Sequence, residues 1–208
     1  MTSTVKQRKI AFDIDGTLLD PRPKQVHVAQ QALLKFGVKE FDEKSYWNLK
    51  RLGNSNIEAF AIMGISEEVA VLASEEWLAR IEEESPSKLD LPYFFCKDTI
   101  SELAKKNRLF CVSARKNPAL LKNRLNEVGL NHFFEHVFVV DPGNSRSEKA
   151  DILKMIKPSI FIGDTESDFD ASKLAKVNFI GVSCGMRNHR FLQSIGVPEI
   201  QDNISRIF

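Results

Sequence analysis

The sequence predicts an α/β fold: a Rossmann-like parallel sheet core flanked by helices, with an inserted α-helical cap domain. Strand-like and helix-like segments alternate from about residue 97 to the end of the chain, which is typical of a parallel sheet covered by helices. A long helical stretch separates the first predicted strand from this alternation. The length of 208 residues fits one core domain that carries a large insertion better than two full-sized domains.

The first strand and the helical stretch define the expected domain boundaries. Residues 8–14 (RKIAFDI) predict a short buried strand, and from Pro23 to about Glu84 the apolar residues recur at helical spacing. The proline-containing segment SPSKLDLPYF leads out of this helical stretch. The expected division is a core formed by residues 1–19 and 91–208 and a cap formed by residues 20–90.

The other core elements follow one another with short connections. In order they are helix 97–106, strand 108–113, helix 117–128, strand 137–140, helix 147–156, strand 159–163, helix 166–175 and strand 178–182. Residues 188–207 add a helix, a short strand and a final helix. If strand 8–14 joins this sheet, the helical stretch is an insertion between the first strand and the rest.

Composition and charge restrict the possible partners and location. With 29 basic and 28 acidic residues the formal charge is +1, so no global field attracts nucleic acid or an anionic membrane. The chain has neither a signal-peptide stretch nor the ~20 apolar residues that span a bilayer, and the cytoplasm is the expected location. Cys96, Cys111 and Cys184 lack metal-ligand spacing and are interpreted as reduced structural thiols. The oligomeric state stays open.

Two acids follow the first strand. Side chains two apart in a strand share a face, so Asp13 and Asp15 are expected to project together at its carboxyl end, where open α/β sheets bind ligands. The alternative is that both acids simply end the strand before a turn at Gly16. The mostly apolar run that precedes them favours a functional role.

A second acidic group follows the strand at 159–163. Asp164 comes directly after Gly163, and Asp168 lies four residues later near the expected start of a helix. There these carboxylates can instead complement the positive end of the helix. Two neighbouring strand ends that carry carboxylates form an oxygen-rich site, and Mg²⁺ typically takes one or two carboxylates together with waters and phosphate oxygens. We therefore expect Mg²⁺ as the cofactor.

Two further side chains suit a phosphoryl group. Ser113 ends the strand 108–113, and Lys149 stands near the start of the helix 147–156. A hydroxyl and an ammonium provide the neutral and charged hydrogen bonds that phosphate oxygens accept. Each has a simpler explanation, because Ser113 can cap a turn and Lys149 can be a surface lysine.

Taken together, these segments resemble the motifs of the haloacid dehalogenase superfamily. The matching segments are DIDGT at 13–17, the apolar run ending in Ser113, Lys149, and GDTESD at 163–168. Their order and strand-end placement agree as well. The chain departs from the pattern in having KADI where many relatives have Lys-Pro-x-Pro, and Ala114 and Arg115 where an Asn commonly follows the hydroxyl residue.

The resemblance implies a hydrolase that acts on phosphoric monoesters. Asp13 would attack phosphorus to give an aspartyl-phosphate, while Asp15 would protonate the leaving oxygen and then activate water. The implied metal ligands are the side chain of Asp13, the main-chain carbonyl of Asp15 and the carboxylate of Asp164, with Asp168 close behind. The implied phosphate ligands are Ser113 and Lys149. The acid at position 15 must start protonated, so its anionic neighbours are expected to raise its pKa.

Within the superfamily the chain is similar to the phosphoglycolate phosphatase and β-phosphoglucomutase branch, which carries a helical cap. The segments LKRLGNSNIEAF at 49–60 and GVSCGMRNHRFLQSIGVPEI at 181–200 carry this likeness. It implies candidate contacts to the substrate beyond its phosphate, namely Arg51, Asn54 and Ser55. The alternative for this segment is a helix–helix turn at Gly53.

The expected substrate is a small phosphorylated metabolite whose identity the sequence leaves open. A phosphomutase shares the nucleophile and differs mainly in the cap, so it remains an alternative. A non-catalytic metal- or phosphate-binding module of the same fold is the alternative from another class. The inserted cap and the intact acids argue against that module.

Overall fold

The structure is a computed structural model that describes residues 7–208. Residues 1–6, which belong to the predicted core, lie outside the described residues. The strands are β1 (Arg8–Phe12), β2 (Leu19–Asp20), β3 (Leu91–Pro92), β4 (Asn107–Ala114), β5 (His136–Val140), β6 (Ile160–Gly163), β7 (Phe179–Val182) and β8 (Ile200–Gln201). The α-helices are α1 (Arg22–Lys35), α2 (Glu43–Arg51), α3 (Asn56–Ile62), α4 (Glu67–Arg80), α5 (Glu84–Ser87), α6 (Cys96–Ala104), α7 (Pro118–Glu127), α8 (Ser145–Ile156), α9 (Glu166–Ala175) and α10 (His189–Ser194).

Six strands form one parallel sheet in the order β5-β4-β1-β6-β7-β8, which confirms the predicted α/β fold. In the centre of the sheet, Phe12 of β1 pairs with Cys111 of β4 on one side and with Ile162 of β6 on the other. The carboxyl ends of β1, β4 and β6 therefore lie side by side. The residues that follow these strands meet at one edge of the sheet, where α/β folds bind ligands.

Both faces of the sheet are covered, which explains why its central strands are apolar throughout. Alternate residues of a strand point to opposite faces. Ile10 and Phe12 pack in one hydrophobic cluster with Ile100 of α6, and Ala11 packs in a second cluster with Leu153 of α8. Helices thus flank the sheet on both sides, as the sequence predicts.

The helices α1 to α5 lie between β2 and β3, and we call residues 22–87 the helical insertion. They have a hydrophobic cluster of their own, in which Tyr46 stacks on Phe60 with ring centroids 5.6 Å apart. The strands β2 and β3 pair antiparallel with Leu19 opposite Pro92, so the two connections to the sheet run side by side. The residue boundaries of a core and a cap stay a prediction.

Two elements differ from the prediction. Since β1 ends at Phe12, Asp13 and Asp15 lie in the turn after the strand and not on a strand face. The final predicted helix is only a short 3₁₀ turn, Ile204–Arg206. Among residues 7–208, every helix is too short or too polar to cross a bilayer.

Candidate active site

The turn at residues 13–17 packs directly on the carboxylate that follows β6. Gly16 has a φ of +85°, a conformation that residues with a Cβ rarely adopt. A Cβ at this position would lie 1.9 Å from Oδ2 of Asp164. Thr17 donates from Oγ1 to Oδ1 of the same aspartate at 3.5 Å. Only a glycine fits this turn, and the turn fixes the position of Asp164.

Asp13 lies buried at the carboxyl end of β1. Its amide donates to the carbonyl of Ile162 at 2.8 Å, and its Oδ1 accepts a hydrogen bond from Nζ of Lys149 at 2.7 Å. Burial raises the pKa of Asp13 to about 7, assisted by the negative charges of Asp168 and Asp15 and opposed by Lys149. The charge of Lys149 by itself therefore does not keep the pKa of Asp13 in the usual carboxyl range.

Asp168 combines two roles that the sequence offers as alternatives. Its Oδ2 accepts from the amide and the hydroxyl of Thr165, at 3.1 and 2.6 Å, and closes a capping box at the start of α9. Its Oδ1 accepts from Nζ of Lys149 at 2.6 Å. Asp168 thus caps a helix and also fixes the ammonium group of Lys149 in the site.

Asp13, Asp164 and Asp168 form a cluster that suits a divalent cation. One carboxylate oxygen of each lies within 4.8 Å of the others. Asp164 also accepts from the amide of Met186 at 2.6 Å, yet burial and the neighbouring carboxylates raise its pKa well above the usual range. Lys149 supplies one positive charge against three carboxylates. The oxygen donors and the uncompensated negative charge both fit a hard divalent cation.

Ser113 places a hydroxyl at the adjoining strand end of β4. The residue is 1% exposed, and its Oγ has no hydrogen-bond partner among residues 7–208. A buried polar atom without a partner costs about 1–3 kcal/mol. This hydroxyl is therefore available to an oxygen atom of a ligand.

The carboxylate of Asp15 is held by Arg115. Its Oδ2 accepts from Nε of Arg115 at 2.7 Å, and its Oδ1 accepts from Nη2. Burial alone would raise the pKa of Asp15, but the charges of Arg115 and then Lys24 outweigh it and lower this pKa to about 2. The expectation that anionic neighbours raise this pKa is wrong for the free protein, because the nearest charges are cationic.

Arg115 belongs to a buried ionic network that sequence reasoning missed. Its Nη2 also donates to Asp90 at 2.8 Å, and Lys24 donates to the same carboxylate at 2.9 Å. Lys24 lies 4.0 Å from Asp15, and a carboxylate oxygen of Glu82 lies 3.7 Å from Arg115. These five residues come from five separated segments, so only the fold brings them together. The signal that could have pointed to the network is the departure after Ser113, where Ala114 and Arg115 stand in place of the common Asn.

A family model for haloacid dehalogenase-like hydrolases matches residues 10–182. The chain belongs to the haloacid dehalogenase-like hydrolase family. The matched range includes every acid of the site, together with Ser113 and Lys149. The predicted family is confirmed, and so is the expectation of a hydrolytic enzyme.

Named relatives of this hydrolase include phosphatases. A phosphoglycolate phosphatase of Pseudomonas fluorescens Pf-5 is 24% identical over 215 residues, covering 95% of this chain and 77% of the relative. A phosphoglycolate phosphatase of strain Pf0-1 is also 24% identical, over 96% of this chain and 78% of the relative. The structure of a haloacid dehalogenase-like family protein from Streptococcus pneumoniae has a TM-score of 0.74 at 19% identity, covering 97% of this chain and 96% of that one. The last comparison shows a shared fold.

In this haloacid dehalogenase-like hydrolase, the three candidate substrate contacts at the end of α2 and in the turn to α3 have different surroundings. Arg51 donates to the carbonyl of Ser183, and its buried Nε has no partner among the described residues. Asn54 donates from Nδ2 to the carbonyl of Leu49 at 2.9 Å, and Ser55 caps the start of α3. Asn54 and Ser55 thus stabilise a helix–helix turn, whereas Arg51 reaches the loop after β7.

Proposed function

We propose that this hydrolase is a Mg²⁺-dependent phosphatase that cleaves a small phosphomonoester through an aspartyl-phosphate on Asp13. One observation carries the proposal: buried Asp13 contacts Lys149 within a carboxylate cluster, at the edge of the sheet where β4 presents a hydroxyl that has no partner among the described residues. The names of the two Pseudomonas relatives support the reaction class.

Charge neutralisation is the central physical requirement of this reaction. A carboxylate attacks an anionic phosphate only when the charges of both groups are offset. Lys149 already donates to Asp13, and we propose that Lys149 and Ser113 also hold phosphate oxygens. Mg²⁺ would supply the remaining positive charge. Its proposed ligands are the carboxylates of Asp13 and Asp164 and the main-chain carbonyl of Asp15, with Asp168 close behind.

The proposed reaction consists of two displacements at phosphorus. An oxygen of Asp13 forms a bond to phosphorus as the bond to the leaving oxygen breaks, and Asp15 gives that oxygen a proton. Water then attacks the aspartyl-phosphate and loses a proton to Asp15, which releases phosphate and regenerates Asp13. Because Asp15 is ionised beside Arg115 in the free protein, this pair must separate and Asp15 must take up a proton before the first step.

We also propose that residues 20–90 act as a cap over a core of residues 1–19 and 91–208. Support comes from the separate hydrophobic cluster of the helical insertion and from its two adjacent connections. A cap that closes on the substrate excludes water from the site. The proposed contacts to the substrate beyond its phosphate are Arg51, Asn54 and Ser55. Arg51 has the strongest support, because its buried Nε lacks a partner among residues 7–208.

Hydrolysis of an aryl phosphate by the full-length protein, with and without Mg²⁺, tests the proposed function. We expect metal-dependent turnover that is abolished by Asp13→Asn and by Asp15→Ala. Native activity in Asp13→Asn would overturn the covalent mechanism. A panel of phosphorylated metabolites, beginning with phosphoglycolate and a hexose phosphate, then identifies the substrate.

Two other outcomes of the same panel would favour the alternative functions. Transfer of the phosphoryl group to a second sugar hydroxyl, in place of release as inorganic phosphate, would identify a phosphomutase. Binding of metal and phosphate without turnover of any compound would identify a non-catalytic binding module.

A further inference from the structure

The segment Ser183–Asn188, which we call the strap, follows β7 and lies directly on the metal-binding side of the site. The amide of Met186 donates to Oδ2 of Asp164 at 2.6 Å. A Cβ on Gly185 would lie 2.2 Å from the same oxygen and 2.4 Å from the carbonyl oxygen of Gly16. The strap backbone is therefore in direct contact with Asp164 and with the turn that carries Asp13 and Asp15.

The opposite side of the strap contacts the helical insertion. The amide of Asn188 donates to the carbonyl of Arg51 at 3.0 Å, and the guanidinium of Arg51 donates back to the carbonyl of Ser183. Next to these bonds, the ring of Phe191 fills the space above Gly53, where a Cβ would lie 2.2 Å from a ring carbon. The end of α2 is thus seated on the strap through backbone bonds and ring packing.

Arg187, which belongs to the strap, contacts both the helical insertion and α9 through its guanidinium group. Its Nη1 donates to the carbonyl of Lys50 in the helical insertion at 2.8 Å. Its Nε and Nη2 donate to the two carboxylate oxygens of Glu166, at 2.8 and 2.6 Å. Glu166 stands in the first turn of α9, the helix that Asp168 caps. The Arg187 side chain is only 12% exposed, whereas the side chain of Glu166 is 43% exposed, so the guanidinium is largely buried and its carboxylate partner reaches solvent.

We propose that Arg187 is a positioning residue that couples the seating of the helical insertion on the core to the placement of Asp164, and hence to the affinity for a divalent cation. The physical link is short: the insertion contacts Arg187, and the adjacent amide of Met186 contacts Asp164. Coupling between two sites is reciprocal, so bound cation strengthens the seating of the insertion as much as seating strengthens cation binding. The role in turnover rests on the proposed phosphatase function, whereas the coupling is measurable without substrate.

Mn²⁺ binding and hydrogen exchange of the full-length protein test this coupling. Mn²⁺ is the probe because it favours carboxylate ligands and its free form is counted by electron paramagnetic resonance. In the native protein, Mn²⁺ should slow amide exchange in both residues 49–54 and 183–188. In Arg187→Ala, the Mn²⁺ affinity should fall by about fivefold or more, the usual lower range for coupled sites, and Mn²⁺ should no longer slow exchange at 49–54.

Three further variants separate coupling from general damage. Arg187→Lys can still donate to the carbonyl of Lys50 and should restore part of the effect, and Glu166→Gln weakens the pair without changing the strap. Arg190→Ala is the matched control, because Arg190 is an exposed arginine three residues on without an ion pair among residues 7–208. We expect native behaviour from this control.

Two results would overturn the proposal. One is native Mn²⁺ affinity and native exchange in Arg187→Ala. The other is exchange that rises throughout the central sheet of Arg187→Ala and Glu166→Gln alike, since that shows loss of the fold and not of a coupling. If the native chain shows the coupling but hydrolyses no phosphate ester, the proposed function fails and the coupling stands.

Discussion

The guanidinium of Arg115 donates to both carboxylate oxygens of Asp15, although 100 residues separate the two in the chain. This ion pair lies where burial alone would favour a neutral carboxyl group. The pair lowers the pKa of Asp15 to about 2, whereas burial raises the pKa of neighbouring Asp13 to about 7. The free protein therefore holds the proposed acid in the form that cannot yet donate a proton.

Replacing Arg115 with Asn should destabilise the protein at pH 7 by about 3–5 kcal/mol, because Asp15 and Asp90 lose a buried cationic partner. Urea denaturation of the native chain and the variant measures this difference. The difference in the free energy of unfolding should become smaller as the pH falls from about 4 towards 2. Because the pKa of Asp15 is lowered in the folded protein, its ion pair stabilises the fold above the ordinary carboxyl pKa. This stabilisation is lost once Asp15 is protonated in the folded protein. The control Arg146→Asn removes a guanidinium that is 65% exposed and should cost less than about 1 kcal/mol. If both variants lose the same small amount of stability, Arg115 does not stabilise the fold through this buried network.

Replacing Lys149 with Met should destabilise the metal-free protein at pH 8 by about 3 kcal/mol or more, because Asp13 and Asp168 lose their shared buried partner. The loss should be smaller at pH 5, where Asp13, with a pKa of about 7, is protonated and no longer needs a cation. Thermal or urea denaturation in the presence of a chelator measures it. Lys154→Met, on the same helix but 52% exposed, should be close to native at both pH values. A loss for Lys149→Met that does not change with pH would count against this electrostatic account.

Replacing Gly16 with Ala should remove the stabilisation by divalent metal, because the new Cβ would collide with Oδ2 of Asp164. Gly37→Ala is a close control, since Gly37 has almost the same φ, +84° against +85°, and no atom of residues 7–208 lies within 4 Å of its Cβ position. Both variants should lose about 1–2 kcal/mol through backbone strain. The rise in melting temperature on adding Mg²⁺ should persist in Gly37→Ala and disappear in Gly16→Ala. A native response in both would show that this turn does not position Asp164.

The stability of the metal-free protein should fall as the pH rises from about 4 to about 7. A raised carboxyl pKa means that the folded state binds more protons than the unfolded state in this window, so each such group costs up to about 1.4 kcal/mol per pH unit. Asp13→Asn removes the titrating carboxyl group, so the variant does not show this loss. The stability of the variant relative to the native chain should therefore increase with pH. Denaturation curves in the presence of a chelator test this. Parallel pH profiles for both proteins would show that Asp13 is not the titrating group.

The strand ends of the site could be predicted from the sequence because they are local features. Short apolar runs end at Asp13, Ser113 and Asp164, and parallel strands bring their carboxyl ends to one edge of the sheet. Lys149 needed the family pattern in addition, since one lysine in a helix has no distinctive local signal. The structure then placed its ammonium group between Asp13 and Asp168.

The ionic network and the strap contacts could not be predicted in the same way. The other members of the network of Arg115 lie in the turn after β1, in α1, after α4 and before β3, and no periodicity links these positions. The sequence therefore predicts the pKa of Asp15 from its acidic sequence neighbours, whereas the fold supplies cations from distant segments. The contacts of Arg187 with Lys50 and Glu166 likewise depend on how the insertion sits on the core.

The pairing of Leu19 with Pro92 brings the two ends of the helical insertion together, which affects how the sequence and length of this segment can evolve. The chain leaves the sheet and returns to it at adjacent points. The length of the helical insertion between these two points therefore does not affect the order of the strands. Segments that depart and return at neighbouring positions are where exchange of one module for another is best tolerated. The helical insertion can therefore be shortened, lengthened or replaced by a tight turn while β1 keeps its place in the sheet. If the helical insertion is the proposed cap, selectivity for one substrate over another can diverge in that module while the residues at the strand ends stay fixed.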